Sequence, residues 1–297
     1  MRPLHLLLAV FVTAVWGLNF IFIRFGLSDF SPTMLCALRF VLASIPLVFF
    51  VKPPQIPWYL TLLYGFFTFG LQFILLFWGM KEGVSPGIAA LLAQTQIFFT
   101  IIFAAIFLKE HITRWQLFGA LVAFSGVVVV FFHIGGELSL FGFFLVLMSS
   151  AAWGAGNLMS KKMGRVNVVS LIPWASLVAL PLLLIVCYFI DGPQKMIHSL
   201  EGVSWLGFIS VAYIAYCSTW IGYGGWNWLL SRYVVATVVP FTLLVPIFAM
   251  MGSILFLNES LEPWKIAAGV LVIIGLGINL LGARLVSYVF RERYLKS

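Results

Sequence analysis

One short string returns in this chain. Residues 107–115 read FLKEHITRW and residues 256–264 read FLNESLEPW, with Phe, Leu, Glu and Trp held in register. Glu110 therefore answers to Glu259, and Trp115 to Trp264. Downstream, Gly126 meets Gly275 in the same register; upstream, Trp16-Gly17 is echoed by Trp153-Gly154. A duplication of this kind restricts the fold to two copies of one unit, expected at 1–136 and 137–297. Composition says what medium the unit lives in. Hydrophobic residues make up 63% of the 297 and charged residues 9%, against about 25% charged in an ordinary soluble domain. So few charges cannot cover a water-facing surface. The lipid bilayer is the first expected partner.

A spanning helix needs about 20 mostly apolar residues. Polar, Pro and Gly breaks divide the chain into ten such segments: 4–23, 32–51, 57–80, 85–108, 114–133, 138–160, 168–190, 203–229, 233–257 and 264–286. The expected fold is an all-α membrane protein with ten transmembrane helices. Each unit holds five spans, an odd number, so the two units enter the membrane from opposite sides and form inverted five-helix repeats. Ten spans place both ends on one face. That face collects Lys161, Lys162, Arg165, Arg291 and Arg293 among other cations, while the opposite face holds only Arg24, Lys81, Lys195 and Lys265. The bias puts both termini in the cytoplasm. The apolar run after Arg2 continues without a small-residue cleavage signal and reads as an uncleaved first span.

Several functions are excluded by what the chain lacks. The net charge of +8 is scattered over short loops and forms no nucleic-acid patch, so no nucleic acid is expected. Cys36, Cys187 and Cys217 lie in apolar runs without C-x-x-C spacing and read as packing residues, with no metal and no cofactor expected. No phosphate-binding G-x-x-x-x-G-K-[ST] string is present, and no nucleophile–base or paired-acid cluster for a membrane enzyme. A channel would draw its pore from rings of equivalent residues in an oligomer, whereas an inverted duplication supplies one path in each chain. A monomer then suffices for transport, and the oligomeric state stays open. No Asp or Glu falls in mid-span, which favours facilitated over proton-coupled movement.

Polar side chains at bilayer depth are costly unless they face protein or a wet path. This makes Asn19, Gln72, Gln94, Gln96, Asn157, Tyr223 and Asn227 candidate substrate contacts, with Trp153, Trp174 and Trp226 as aromatic walls. Amides can meet a carboxylate and an ammonium alike, and rings can hold a cation. Packing is the competing role, since such groups also bond neighbouring helices. Gln94 and Gln96 are two apart and point about 200° from each other on a regular helix, so one of them at most faces a narrow path. Arg39 is the one charge well inside a span; it serves either as a carboxylate partner or by snorkelling toward Asp29 or another acid. Glu110 and Glu259 end their spans, as gates or, more plainly, as caps of the following helix. Pro240, Pro246 and Pro86-Gly87 interrupt matching spans. Glycines of the fifth and tenth spans are expected to pack within their own units.

The duplicated unit, the Trp-Gly near the start of each half, Leu38-Arg39-Phe40 and the span-end Glu110 and Glu259 resemble the EamA-type carriers of the drug/metabolite transporter superfamily. Finer strings carry the likeness further: Val15-Trp16-Gly17-Leu18-Asn19-Phe20, Gln94-Thr95-Gln96-Ile97-Phe98-Phe99-Thr100, Gly156-Asn157, Gly222-Tyr223-Gly224 and Leu243-Leu244-Val245-Pro246. They are similar to exporters of cysteine and O-acetylserine in the bacterial inner membrane. The resemblance implies a secondary transporter that exports amino acids or related small-molecule substrates by alternating access. The alternative is a broad exporter of aromatic or cationic compounds. Leu-Arg-Phe recurs across the family whatever the substrate, which favours the structural role for Arg39.

Overall fold

Lipid offers no partner to a backbone N–H or C=O, so each apolar run must satisfy its own backbone as a helix. The computed structural model describes residues 1–133, 139–164, 166–233 and 238–295, with the backbone alone at 227, 230, 231, 239, 240 and 280–295. Among these residues the chain forms ten helical spans and no strand. They are α1 (Pro3–Asp29), α2 (Pro32–Val48), α3 (Trp58–Lys81), α4 (Pro86–Leu108), α5 (Arg114–Phe132), α6 (Leu140–Met163), α7 (Val168–Glu201), α8 (205–232), α9 (239–257) and α10 (Pro263–Leu295). The expected unit boundary at 136/137, and the first residues of the expected ninth span, lie outside the described residues.

Helix starts follow from short polar side chains. Ser31, Ser139 and Ser204 each accept from the backbone N–H three residues ahead, and Asn167 from the one two ahead, which satisfies a donor that the helix itself leaves open. Thr113 and Gln116 close a reciprocal capping box on α5. The cap of α5 is thus Thr113, not Glu110 as expected. Two expected ends also move. α1 runs on to Asp29 because Arg24 is exposed and can point outward without breaking the helix. α7 does not stop at 190: Gly192 turns the backbone at φ 74°, and Pro193 starts a further helical stretch to Glu201.

The two units make the same contacts with their roles exchanged. α5 packs on α10 and α2 on α7, each pair mapping onto itself. α1 packs on α9 as α6 packs on α4, and α3 on α6 as α8 on α1. Single residues repeat the exchange. Gly17 meets Phe248 on α9, and Gly154 meets Phe99 on α4. Gly119 meets Gly275, and Gly126 meets the backbone of Ala268. Lys109 and Asn258 both adopt left-handed backbone, at φ 55° and 53°, and the N–H groups of Glu110 and Glu259 return to Ala104 and Ser253 at 3.3 Å each. An inverted two-fold relation follows. It also corrects one expectation: the glycines of α5 and α10 pack across the two units, not within them. Only a residue without a side chain lets two helix backbones come this close.

Candidate functional site

Four spans are irregular, in repeat-related pairs. α3 widens into π-helical turns over Gly65–Leu71, and α8 does so over Tyr213–Gly222. α4 tightens at 94–98, where N–H groups bond three residues back instead of four. Its mate α9 begins as a 3-10 stretch, Val239–Leu243. Such turns are uncommon and collect at functional sites. Pro86 opens α4 at its first position, where the missing N–H costs nothing, and so does not cause the break at 94–98; in α9, Pro240 lies within the 3-10 stretch and Pro246 three residues past its end. The carbonyl of Leu92 accepts from the Thr95 N–H at 3.0 Å and also from the hydroxyls of Thr95 and Ser150 at 2.6 and 3.1 Å.

Arg39 projects into this irregular layer. It is 1% exposed and does not snorkel. Its Nη2 donates to Thr219 Oγ1 at 3.2 Å. The guanidinium carbon lies 3.9 Å from the ring centre of Phe73 and 5.5 Å from that of Phe40, contacts worth about 2 kcal/mol when desolvated. Nε and Nη1 have no hydrogen-bond partner among the described residues. The acids expected to pair with it are engaged elsewhere. Asp29 accepts from the N–H and hydroxyl of Ser204 at 2.8 and 2.5 Å. Asp191 accepts from Ser31 and Thr33 and pairs with Lys195 at 3.5 Å.

The other candidates divide into two groups. Asn19 is buried on α1 with its Oδ1 unpartnered among the described residues. Gln72 and Gln94 are buried as well. Tyr223 stands edge-on to Trp16 at 5.5 Å, and Trp16 touches Trp226 at 5.2 Å. Trp16 Nε1 donates to the carbonyl of Ser218 at 3.1 Å, which fixes α1 against the π-turns of α8. Gln96 and Asn157, in contrast, satisfy each other: Asn157 Nδ2 donates to Gln96 Oε1 at 2.6 Å and to Thr100 Oγ1 at 3.0 Å. Trp153 is half-buried against the core. Trp174 is no interior wall. Its Nε1 donates to Val51 O at 2.9 Å, just past the end of α2, and its ring meets Trp58. Asn227 lies on α8, but its side chain is outside the described residues. Phe73 and Trp16 were not among the expected contacts; a ring in an apolar run carries no mark that separates it from lipid-facing phenylalanines.

At the face bearing the N-terminus, Glu110 pairs with Lys161 of α6 at 2.5 Å, both half exposed. At the opposite face, Asp29, Asp191, Lys81, Lys195 and Ser199 line an open cavity of about 320 Å3. No cluster of metal-ligating side chains occurs among the described residues. What the geometry offers is a desolvated cation, an amide oxygen unpartnered among the described residues and rings between two inverted units.

The profile of the EamA-like transporter family matches residues 4–132 and 140–281. The chain is 37% identical over 283 residues to a probable amino-acid metabolite efflux pump of Escherichia coli (strain K12), spanning 93% of this chain and 95% of that protein. A pump of the same description from Salmonella typhimurium (strain LT2) is also 37% identical, over 284 residues and the same shares. One crystal structure shares the fold with a TM-score of 0.64 at 16% identity, over 96% of this chain and 99% of the other.

Proposed function

The chain belongs to the EamA-like transporter family, and from that premise we propose that it is a secondary carrier exporting amino acids or related small metabolites by alternating access. The observation that carries this reading is the exchanged packing: Gly17 on Phe248 and Gly154 on Phe99 are one contact made twice by oppositely inserted units. If the units swap conformations, the side on which the central path opens is reversed, with no new structure required. The chain then works in the bacterial inner membrane with both termini in the cytoplasm, and one copy holds a complete path. The names of the 37%-identical relatives support the substrate class. Asn19, Gln72, Gln94, Tyr223 and Trp226 are its proposed contacts. A desolvated Arg39 opposes a cationic solute, so the broad exporter of cationic compounds is the weaker reading.

The test is labelled cysteine or O-acetylserine flux in proteoliposomes. Saturation with substrate is expected from a carrier. Flux rising linearly with concentration would mean a channel, and uphill movement that collapses with a pH gradient would mean proton coupling.

Glu110 and Lys161 are proposed as one gate. The offset that takes Gly17 to Gly154 takes Arg24 to Lys161, and the offset that takes Phe99 to Phe248 takes Glu110 to Glu259. Arg24 and Glu259 are thus the matching pair at the opposite face, closing when the first opens. An exposed pair contributes about 0.2–1 kcal/mol, so E110Q or K161Q should change the flux by about threefold. The double exchange E110K/K161E should restore it. Failure of the exchange to restore flux, with each single variant impaired, would assign the two residues separate roles.

A further inference from the structure

We propose that Arg39 is the anchoring point for the carboxylate of the transported solute, and that an α-amino acid is the chemical class its surroundings select. This rests on the carrier reading above and deepens it. A guanidinium carries five N–H donors in a planar fork, matched to a carboxylate. Here Nη2 reaches Thr219, while Nε and Nη1 reach no acceptor among the described residues. No ion pair involving Arg39 is formed among those residues either. A cation taken out of water without a partner is strongly unfavourable. A purely structural side chain packed between Phe73 and Phe40 would gain by being apolar, so packing alone does not account for the charge. A ligand that arrives with a negative charge does.

The sign and number of charges narrow the class. Arg39 neutralises one negative charge. A dianion such as a phosphate monoester would bring a second, uncompensated one into the bilayer. An α-amino acid adds an ammonium beside its carboxylate, and the site holds the complement. Asn19 Oδ1 is a buried acceptor without a donor among the described residues. It lies one turn beyond Trp16 on α1, and Trp16 is bonded to Ser218, the neighbour of Thr219. The helix of the orphaned acceptor, α1, and that of the orphaned donors, α2, thus meet the same π-turns of α8 at adjacent residues, 218 and 219. The ring faces of Trp16 and Tyr223 add cation-binding surface beside them.

The purified full-length protein in detergent, titrated by tryptophan fluorescence, tests this with four probes: O-acetyl-L-serine, its methyl ester, propionate and inorganic phosphate. The acid should bind at least tenfold more tightly than the ester, propionate should bind and compete with it, and phosphate should not. In R39Q the acid–ester difference should fall below twofold. R39K, which keeps the charge but not the fork and preserves more of the packing, should lie between. Equal binding of acid and ester by the wild type overturns the proposal without reliance on any variant. So does R39Q keeping the difference, or no carboxylate binding at all. Proteoliposome flux separates the two readings: discrimination without flux leaves the carboxylate site and removes the carrier, and saturable flux without discrimination does the reverse.

Discussion

Gly119→Leu should abolish recovery of folded protein, and Gly275→Leu should do the same. A Cβ on Gly119 would stand 2.5 Å from the carbonyl oxygen of Gly275 and 2.7 Å from the backbone nitrogen of Asn279. A Cβ on Gly275 would stand 2.4 Å from the backbone nitrogen of Ala123. These neighbours are helix backbone and cannot rotate aside. α5 and α10 must then separate along the one seam that joins the units at this edge, and packed interiors have no slack to absorb that. The cost is about 3 kcal/mol or more, a large share of a typical total stability of 5–15 kcal/mol. The measurement is the monodisperse yield and thermal midpoint in detergent. Gly277→Leu is the control, because nothing lies within 4 Å of a Cβ there. Unfolding by all three equally would mean that leucine disturbs the helix itself and not the seam.

Gly17→Leu and Gly154→Leu should each reduce transport at least tenfold. At Gly17 an added Cβ would fall 2.5 Å from Phe248 Cβ and 2.8 Å from the carbonyl oxygen of Val245. At Gly154 it would fall 2.8 Å from Phe99 Cβ and 3.0 Å from the backbone nitrogen of Thr100. These two seams, α1 on α9 and α6 on α4, are where the units must move past each other if their conformations are exchanged. A branched side chain in either one wedges a moving contact apart. Because the seams are repeat mates, the two substitutions should impair transport to a similar degree. The readout is initial flux per folded protein, with Gly224→Leu, which has open space around it, as the reference. Full activity of both seam variants would place the moving surface elsewhere.

Much of the architecture could be read from residues near one another in the chain. Apolar run length gave the spans, and the odd number of spans in each unit made the repeats inverted. The paired strings ending at Trp115 and Trp264 exposed the duplication. Errors fell where a local signal had two meanings. Arg24 looked like a span end, yet at an exposed position it interrupts nothing. Gly192-Pro193 looked like a loop, yet it only bends α7 into a further helical stretch.

The interior was harder to read, for a physical reason. A helix facing lipid on one side and protein on the other is apolar all round, so the periodic contrast that marks the buried face of a soluble helix is missing. The 200° argument for Gln94 and Gln96 assumed an unbroken helix, and the helix is interrupted between them. Gln96 is spoken for by Asn157 of the other unit, and nothing near either residue in the chain signals that pairing. Trp174 shared its residue type with Trp226 but ended at the membrane edge, bonded to Val51.

The sequence by itself determined the solvent this protein folds in, the number of its spans and their inverted duplication, because these are sums and parities taken along the chain. Only the tertiary structure decided which glycines join the units, which amides are already bonded, and that Arg39 stands desolvated with two nitrogens unbonded among the described residues. Those are questions of which distant residue arrives opposite, and the hydrogen bond from that guanidinium to Thr219 spans 180 positions of chain.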